Sequence, residues 1–130
     1  MTLFENPTWE PRHIAEYEGA VAMHHGDINK NGFDDLIICY QYGPTMYDCD
    51  ADGGKIDWIE NPGKTGGEWK RHYVGKSCGM HRLKLGHFTQ TDKLEILGLP
   101  IVPAPHNIHG GLNVLIYSQP EDLQTAEQWK

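Results

Sequence analysis

No stretch of this 130-residue chain approaches the roughly 18 consecutive apolar residues that a membrane-spanning helix requires, so a helical membrane span is excluded. Basic side chains are in the minority: 11 Lys and Arg stand against 18 Asp and Glu, for a formal charge of -7. A nucleic-acid-binding surface needs the opposite balance, clustered and basic. The opening residues, MTLFENPTWEPRH, have neither the basic start nor the apolar stretch of a secretory leader, and the compartment stays open. Cysteine is scarce. Cys39, Cys49 and Cys78 are odd in number and irregular in spacing, which gives neither a disulfide framework nor a paired-cysteine zinc signature. Cys39 sits in the apolar run DLIICY and reads as a small hydrophobe. Cys49 and Cys78 read as loop thiols, able to react or to bind metal. Long helical patterns are also missing; only PEDLQTAEQWK, at the end, has helical composition, for a turn or two at most.

What the chain has instead is turns and repetition. Fifteen glycines and eight prolines punctuate short alternating runs. Trp9, Trp69 and Trp129 stand 60 residues apart, as do Gly26 and Gly86. His13 and His72 follow their tryptophans at similar distances, and DLII after Gly26 matches EILG after Gly86. Each unit then has a Gly/Pro-rich loop closed by a glycine pair, Gly53-Gly54 or Gly110-Gly111, and a further strand, KIDWIENP or LNVLIYSQP. The pattern predicts four short strands per unit: AVAMHHG, DLIICYQ, KIDWIEN and WKRHYVG in the first, with counterparts in the second.

A four-stranded antiparallel unit repeated at fixed length is the signature of a propeller blade. The expected fold is all-β, two such blades. An outer strand of a preceding blade is expected at about 9–17, blade one at about 20–75 and an incomplete blade two at about 79–130. Propellers close with roughly four to eight blades, so two units leave an apolar face bare at each end. The expectation is a piece of a larger propeller of about seven blades, its partners being the remaining blades or copies of itself.

Oxygen-bearing side chains alternate in the segment DINKNGFDD. Asp27, Asn29, Asn31 and Asp35 supply side-chain oxygens, Phe33 a carbonyl, and Gly32 the bend. Hard cations take six to eight such ligands, which makes calcium or magnesium the candidate cofactor. The alternative is a tight Asn31-Gly32 turn that needs no metal. The matching loop of the second unit, HFTQTDK, has lost the pattern and is expected to be metal-free.

With these residues in view, GDINKNGFDDL followed by IDWIENPG resembles the FG-GAP or VCBS repeats of β-propellers, whose aspartate-rich turn holds calcium. A narrower resemblance rests on GMHRLKLGHF and on the loop ending PAPHNIHGGLNVLIY. These are similar to the propeller of the fungal aldos-2-ulose dehydratases, which dehydrate and isomerise oxidised or anhydro sugars such as 1,5-anhydrofructose.

If the metal-like turn joins the first two strands of a unit, the loops at residues 42–54 and 100–111 lie on the opposite face, with the connection at residues 78–82. His81, Arg82, His106, His109, Tyr47, Asp48, Asp50 and Asp52 would then surround one mouth. His106 and His109, three apart, suit zinc or a sugar, given a third ligand from His81 or Asp48. His24 and His25 point to opposite faces of a strand, one buried and one stacked on a neighbour. As a lyase, the mouth would use His81 or His106 as base, Arg82 or a divalent ion on the enolate oxygen, and Tyr47 or a second histidine as acid. The alternatives are a module binding carbohydrate or protein without chemistry, and a purely structural scaffold.

Overall fold

Runs rich in β-branched and aromatic residues, broken by glycine, proline and Asx turns, leave this chain little choice but short strands. The computed structural model describes residues 1–43, 49–89, 91–103 and 111–130. The described residues form nine strands: β1 (Thr2–Glu5), β2 (Glu10–His13), β3 (Ala22–Gly26), β4 (Asp35–Tyr40), β5 (Lys55–Glu60), β6 (Lys70–Lys76), β7 (Met80–Gly86), β8 (Glu95–Pro100) and β9 (Leu115–Tyr117). They form three antiparallel sheets in chain order: the pair β1-β2, the four-stranded β3-β4-β5-β6 and the three-stranded β7-β8-β9. Among the described residues the sole helical segment is one 3-10 turn, Gly63–Thr65. The helical composition near residue 122 yields one helical backbone bond, from the Ala126 amide to the Asp122 carbonyl, beside bonds from the Gln124 amide and the Thr125 hydroxyl to the Asp122 carboxylate.

Beyond β9, the Ser118 and Lys130 amides each bond the other's carbonyl, at 2.9 and 3.3 Å. Lys130 thereby takes the place in the second large sheet that Lys70, opposite Glu60, takes in the first. The two sheets meet face to face, and Ile37, Cys39, Ile56, Trp58 and Val74 of the first pack with Met80, Leu83 and Ile96 of the second. The Tyr117 ring lies over Gly75 so closely that a Cβ there would come within 2.6 Å of it. Each fully buried apolar side chain of such a core contributes about 1.5–3 kcal/mol.

The tryptophan register is real, but it does not give equal surroundings. Trp9, Trp69 and Trp129 each stand one residue before a strand or its first pairing residue. Trp9 is 63% exposed and Trp129 only 5%, with Trp69 between them. The cause is what lies alongside: the Trp129 amide bonds the Val74 carbonyl of β6, whereas Trp9 stands on the turn between β1 and β2, largely open. His24 and His25 also depart from expectation, since neither is buried. Their rings stack on each other at 5.7 Å, and His25 reaches Asp34 at 2.6 Å.

Asp35 and Glu95 open the second strand of each large sheet, and both are buried, at 0% and 1% exposure. Asp35 accepts the amides of Ile28 (3.1 Å) and Asn61 (2.8 Å). Glu95 accepts the Phe88 and Thr89 amides (2.9 and 2.8 Å), the Thr89 hydroxyl and the Ser118 hydroxyl (3.0 Å). Each carboxylate so ties the turn before its strand to the end of the next strand. Burial pushes the Asp35 carboxyl up, against the opposing pull of the Asn61 amide. The Thr89 hydroxyl, with the amides and Ser118, brings Glu95 down to about 2.

Because the folded carboxyl of Glu95 sits below its unfolded value of about 4.5, its contribution is complete above that pH and is lost as pH falls from there toward 2. Glu95→Gln is expected to cost about 1–3 kcal/mol at neutral pH and to flatten the acid limb of a denaturation-versus-pH curve. An unchanged acid limb in urea melts from pH 2 to 7 would contradict this.

Candidate functional site

One rim of the two large sheets gathers the end of β4, the start of β5, and the connections leading into β3 and β7. The backbone holds it together: the Gln41 amide bonds the Glu18 carbonyl (2.9 Å), the Gly54 amide that of Gln41 (2.7 Å), and the Ser77 amide that of Gly54 (3.1 Å). Gly54 is at φ +66, and a Cβ on it would lie 1.9 Å from the Ser77 carbonyl oxygen, so only glycine fits.

At this junction the reading of the cysteines is corrected. Cys49 and Cys78 are joined in a disulfide, with Cα atoms 5.1 Å apart. Cys49, ahead of β5, lies against the connection between the sheets at Cys78, a contact that residue counting does not show. Lys76 pairs with Asp52 across the same seam at 2.7 Å. Cys39 is free and buried, as expected.

His81 is the extra residue of a β-bulge. Met80 pairs with Pro100 and Arg82 with Leu99, leaving His81 without a partner in the register. Bulges re-aim side chains, and here the His81 ring meets the Tyr42 ring edge-on at 5.9 Å. Burial, and then the neighbouring Arg82 charge, pull the His81 pKa below 6.5, so the ring is a neutral proton acceptor at pH 7. Arg82 is exposed. The Tyr42 hydroxyl is buried without a hydrogen-bond partner among the described residues. Beside it opens a cleft of about 510 Å³ lined by Glu18, Gln41, Tyr42, Asp50, Asp52 and Lys55 among others. Tyr47, Asp48, His106 and His109 lie outside the described residues.

A neighbouring network went unread in the sequence. Asp57, in the middle of β5, is 3% exposed. Its Oδ2 accepts Arg71 Nε (3.0 Å), Arg71 Nη2 (2.7 Å) and the Tyr17 hydroxyl (3.0 Å), and its Oδ1 accepts the Tyr40 hydroxyl (3.1 Å). The Arg71 guanidinium lies 4.2 Å from the Tyr17 ring centroid. Burial, then the Asp57 charge, push Tyr40 up to about 12 and Tyr17 further still, so both stay protonated donors. The signal available in the sequence was a lone carboxylate inside an otherwise apolar strand, KIDWIE, since a buried polar group is the informative exception.

The turn at Asp27–Asp35 occupies the opposite rim. Asp27 accepts the Asn31 and Gly32 amides (both 2.9 Å), Asn29 the Asn31 amide (3.2 Å) and Asn31 the Phe33 amide (2.8 Å). Lys30 and Gly32 take the left-handed conformation that this winding requires. Asp27 and Asn29 are half-buried and Asn31 is exposed, their side-chain oxygens gathered around the bend. Asp35 is sealed beneath the turn, with each of its oxygens on an amide. Among the described residues no group of three or more His, Cys, Asp or Glu could hold a metal ion.

Antiparallel sheets stacked face to face in chain order are compatible with the β-propeller class, and the comparison with known families assigns it. Residues 53–130 match the family model for the β-propeller domain of aldos-2-ulose dehydratase. The chain is also 42% identical over 126 residues to the aldos-2-ulose dehydratase of Phanerodontia chrysosporium, a match covering 97% of this chain and 14% of that protein. The chain belongs to the aldos-2-ulose dehydratase β-propeller family.

The depressed His81 pKa can be checked directly. Its Hε1 resonance, followed by NMR against pH, is expected to titrate below 6.5, and Arg82→Gln to move the midpoint upward. A midpoint at or above 6.5 in the unaltered protein would refute the assignment.

Proposed function

We propose that this chain contributes to a carbohydrate lyase that eliminates water from oxidised or anhydro sugars such as 1,5-anhydrofructose. Family membership supports the carbohydrate dehydratase class, and the observation that carries the finer reading is His81: neutral, raised on a bulge, and turned toward Tyr42 at the rim. In the proposed step His81 takes the proton from the carbon next to the sugar carbonyl. The C–H electron pair moves into the enolate, Arg82 stabilises its oxygen, and collapse of the enolate expels the β-hydroxyl as water once an acid protonates it. Tyr47, His106 and His109 are the proposed donors for that proton and for further sugar contacts. A divalent ion held there, zinc included, would add Lewis acidity at the carbonyl oxygen.

The partners belong to the same proposal. Met23 on the first large sheet is 54% exposed, and Val114 and Ile116 on or beside β9 are 61% and 38% exposed. These are the apolar faces that further blades of a ring of about seven, or copies of this chain, would cover.

Elimination from 1,5-anhydrofructose by the intact protein is expected to produce the ultraviolet absorbance of a conjugated enone, with kcat reduced at least about 100-fold in His81→Asn. Sugar binding without enone formation would favour a non-catalytic binding module.

For the Asp27–Asp35 loop we propose a calcium or magnesium ion on Asp27, Asn29, Asn31 and the Phe33 carbonyl, as in FG-GAP-type turns, with Asp35 anchoring the loop from below. Calcium at a hundredfold excess over Kd is expected to add about 2.7 kcal/mol, read as a rise in Tm that Asp27→Asn abolishes. A Tm indifferent to calcium and magnesium would leave a self-sufficient turn.

A further inference from the structure

The turn between β3 and β4 holds a second kind of chemistry, independent of any ion. Of the six asparagines in the sequence, Asn31 alone is followed by glycine; the others precede Pro7, Lys30, Pro62, Ile108 and Val114. A backbone nitrogen that follows asparagine can attack the side-chain carboxamide and close a cyclic imide. Proline has no N–H to give up, and a side chain on the following residue crowds the approach. Glycine imposes neither obstacle. Asn31 and Gly32 are both exposed. Gly32 is at φ +87, and among the described residues nothing beyond its chain neighbours lies within 4 Å of the place a Cβ would take. The backbone there can rotate toward the imide without displacing another residue.

Three bonds of the turn supply the rest. Asn31 Oδ1 accepts the Phe33 amide at 2.8 Å, which folds the carboxamide back over the intervening Gly32 peptide. The same N–H points at the oxygen on which negative charge develops when the carboxamide carbon is attacked. The Gly32 amide, the attacking group, donates to Asp27 Oδ2 at 2.9 Å, so a carboxylate stands ready for its proton. The Asn31 amide on Asp27 Oδ1, also at 2.9 Å, fixes that carboxylate's orientation.

We propose that Asn31 is a self-deamidation site, promoted by Asp27 as base and by the Phe33 amide as oxyanion donor. Asp27 takes the Gly32 proton, and the nitrogen's electron pair forms a bond to Asn31 Cγ. The carbonyl pair moves onto Oδ1 and returns to expel the side-chain nitrogen, which leaves as ammonia with the proton from Asp27. Water then opens the imide. Attack at Cγ gives aspartate at position 31; attack at the main-chain carbon gives isoaspartate, with the backbone one carbon longer. The net change is asparagine plus water to aspartate plus ammonia, and nothing is oxidised or reduced. The aspartate product adds a carboxylate to the side chains proposed above to hold calcium or magnesium, and cation affinity rises with ligand charge. That consequence rests on the cation reading; the deamidation does not.

The test follows the intact, folded protein by mass spectrometry at 37 °C and mildly alkaline pH, with EDTA to keep the turn free of cations. A gain of about 1 Da confined to position 31 is expected, with peptide maps showing the other five asparagines unchanged. Asp27→Asn, which keeps an oxygen for the Gly32 amide but loses the base, should slow that gain by about threefold to tenfold. In concentrated urea, where the turn is lost, the two proteins should react at the same rate. No gain at position 31, a gain spread over several asparagines, or an Asp27→Asn protein that reacts as fast or faster in the folded state would each overturn the proposal. Calcium titration of Asn31→Asp tests the consequence by itself. Binding about tenfold tighter than in the unaltered protein is expected; equal binding would remove the cation reading and leave the mass result standing.

Discussion

Two carboxylates sealed from water, Asp35 and Glu95, govern how each large sheet is assembled. A buried carboxylate is tolerated only when donors surround it, and leaving such a group unsatisfied costs more than any one of its bonds contributes. Asp35 finds its donors at Ile28 and Asn61, and Glu95 at Phe88, Thr89 and Ser118. In both sheets the first turn and the far end of the third strand are drawn to one point. Strand register follows, and with it the places where β4, β6 and β7 reach the opposite rim.

That rim combines two kinds of order. Backbone bonds through Gln41, Gly54 and Ser77, reinforced by the disulfide, fix its outline. Side chains set its character: a bulged, neutral histidine at one point and, a short way along, an arginine held by a buried aspartate and two tyrosines. The Asp57 network lies on the face of the first sheet turned away from the second. At the matching position the second sheet has Leu115, which packs against the shared core. The repeat therefore keeps its frame while exchanging an apolar contact for a charged one.

Periodicity made much of this legible. The matched glycines and the β-branched runs DLIICY and KIDWIE led to the strands, because strand formation depends on local composition and on alternation. The Asx-rich turn was legible for the same reason, its bonds running between residues at most five apart. The features that escaped are those made by distant partners. Cys49 and Cys78 are separated by 29 positions and meet only through the seam between sheets. Tyr17 and Asp57 are 40 positions apart, and nothing near either names the other. The tryptophans are equally spaced, yet their burial depends on the neighbouring sheet and not on the residue's own unit. His81 was singled out for its neighbour Arg82, while the bulge that lifts it depends on pairing with β8.

The disulfide has a mechanical consequence. It lies at one rim only, beside the chain's own passage from β6 to β7, so there the sheets are doubly tethered by covalent links. At the far rim Gln119 bonds the Ile28 carbonyl, Lys30 pairs with Asp92 and Gln124 bonds Glu60 beside the buried Ile28 side chain, and none of these links is covalent. The covalent constraint on the pair of sheets is thus one-sided, like the spine of a book. Any motion that parts the sheets would therefore hinge at the edge where His81 stands, with the Asp27–Asp35 turn on the side that opens.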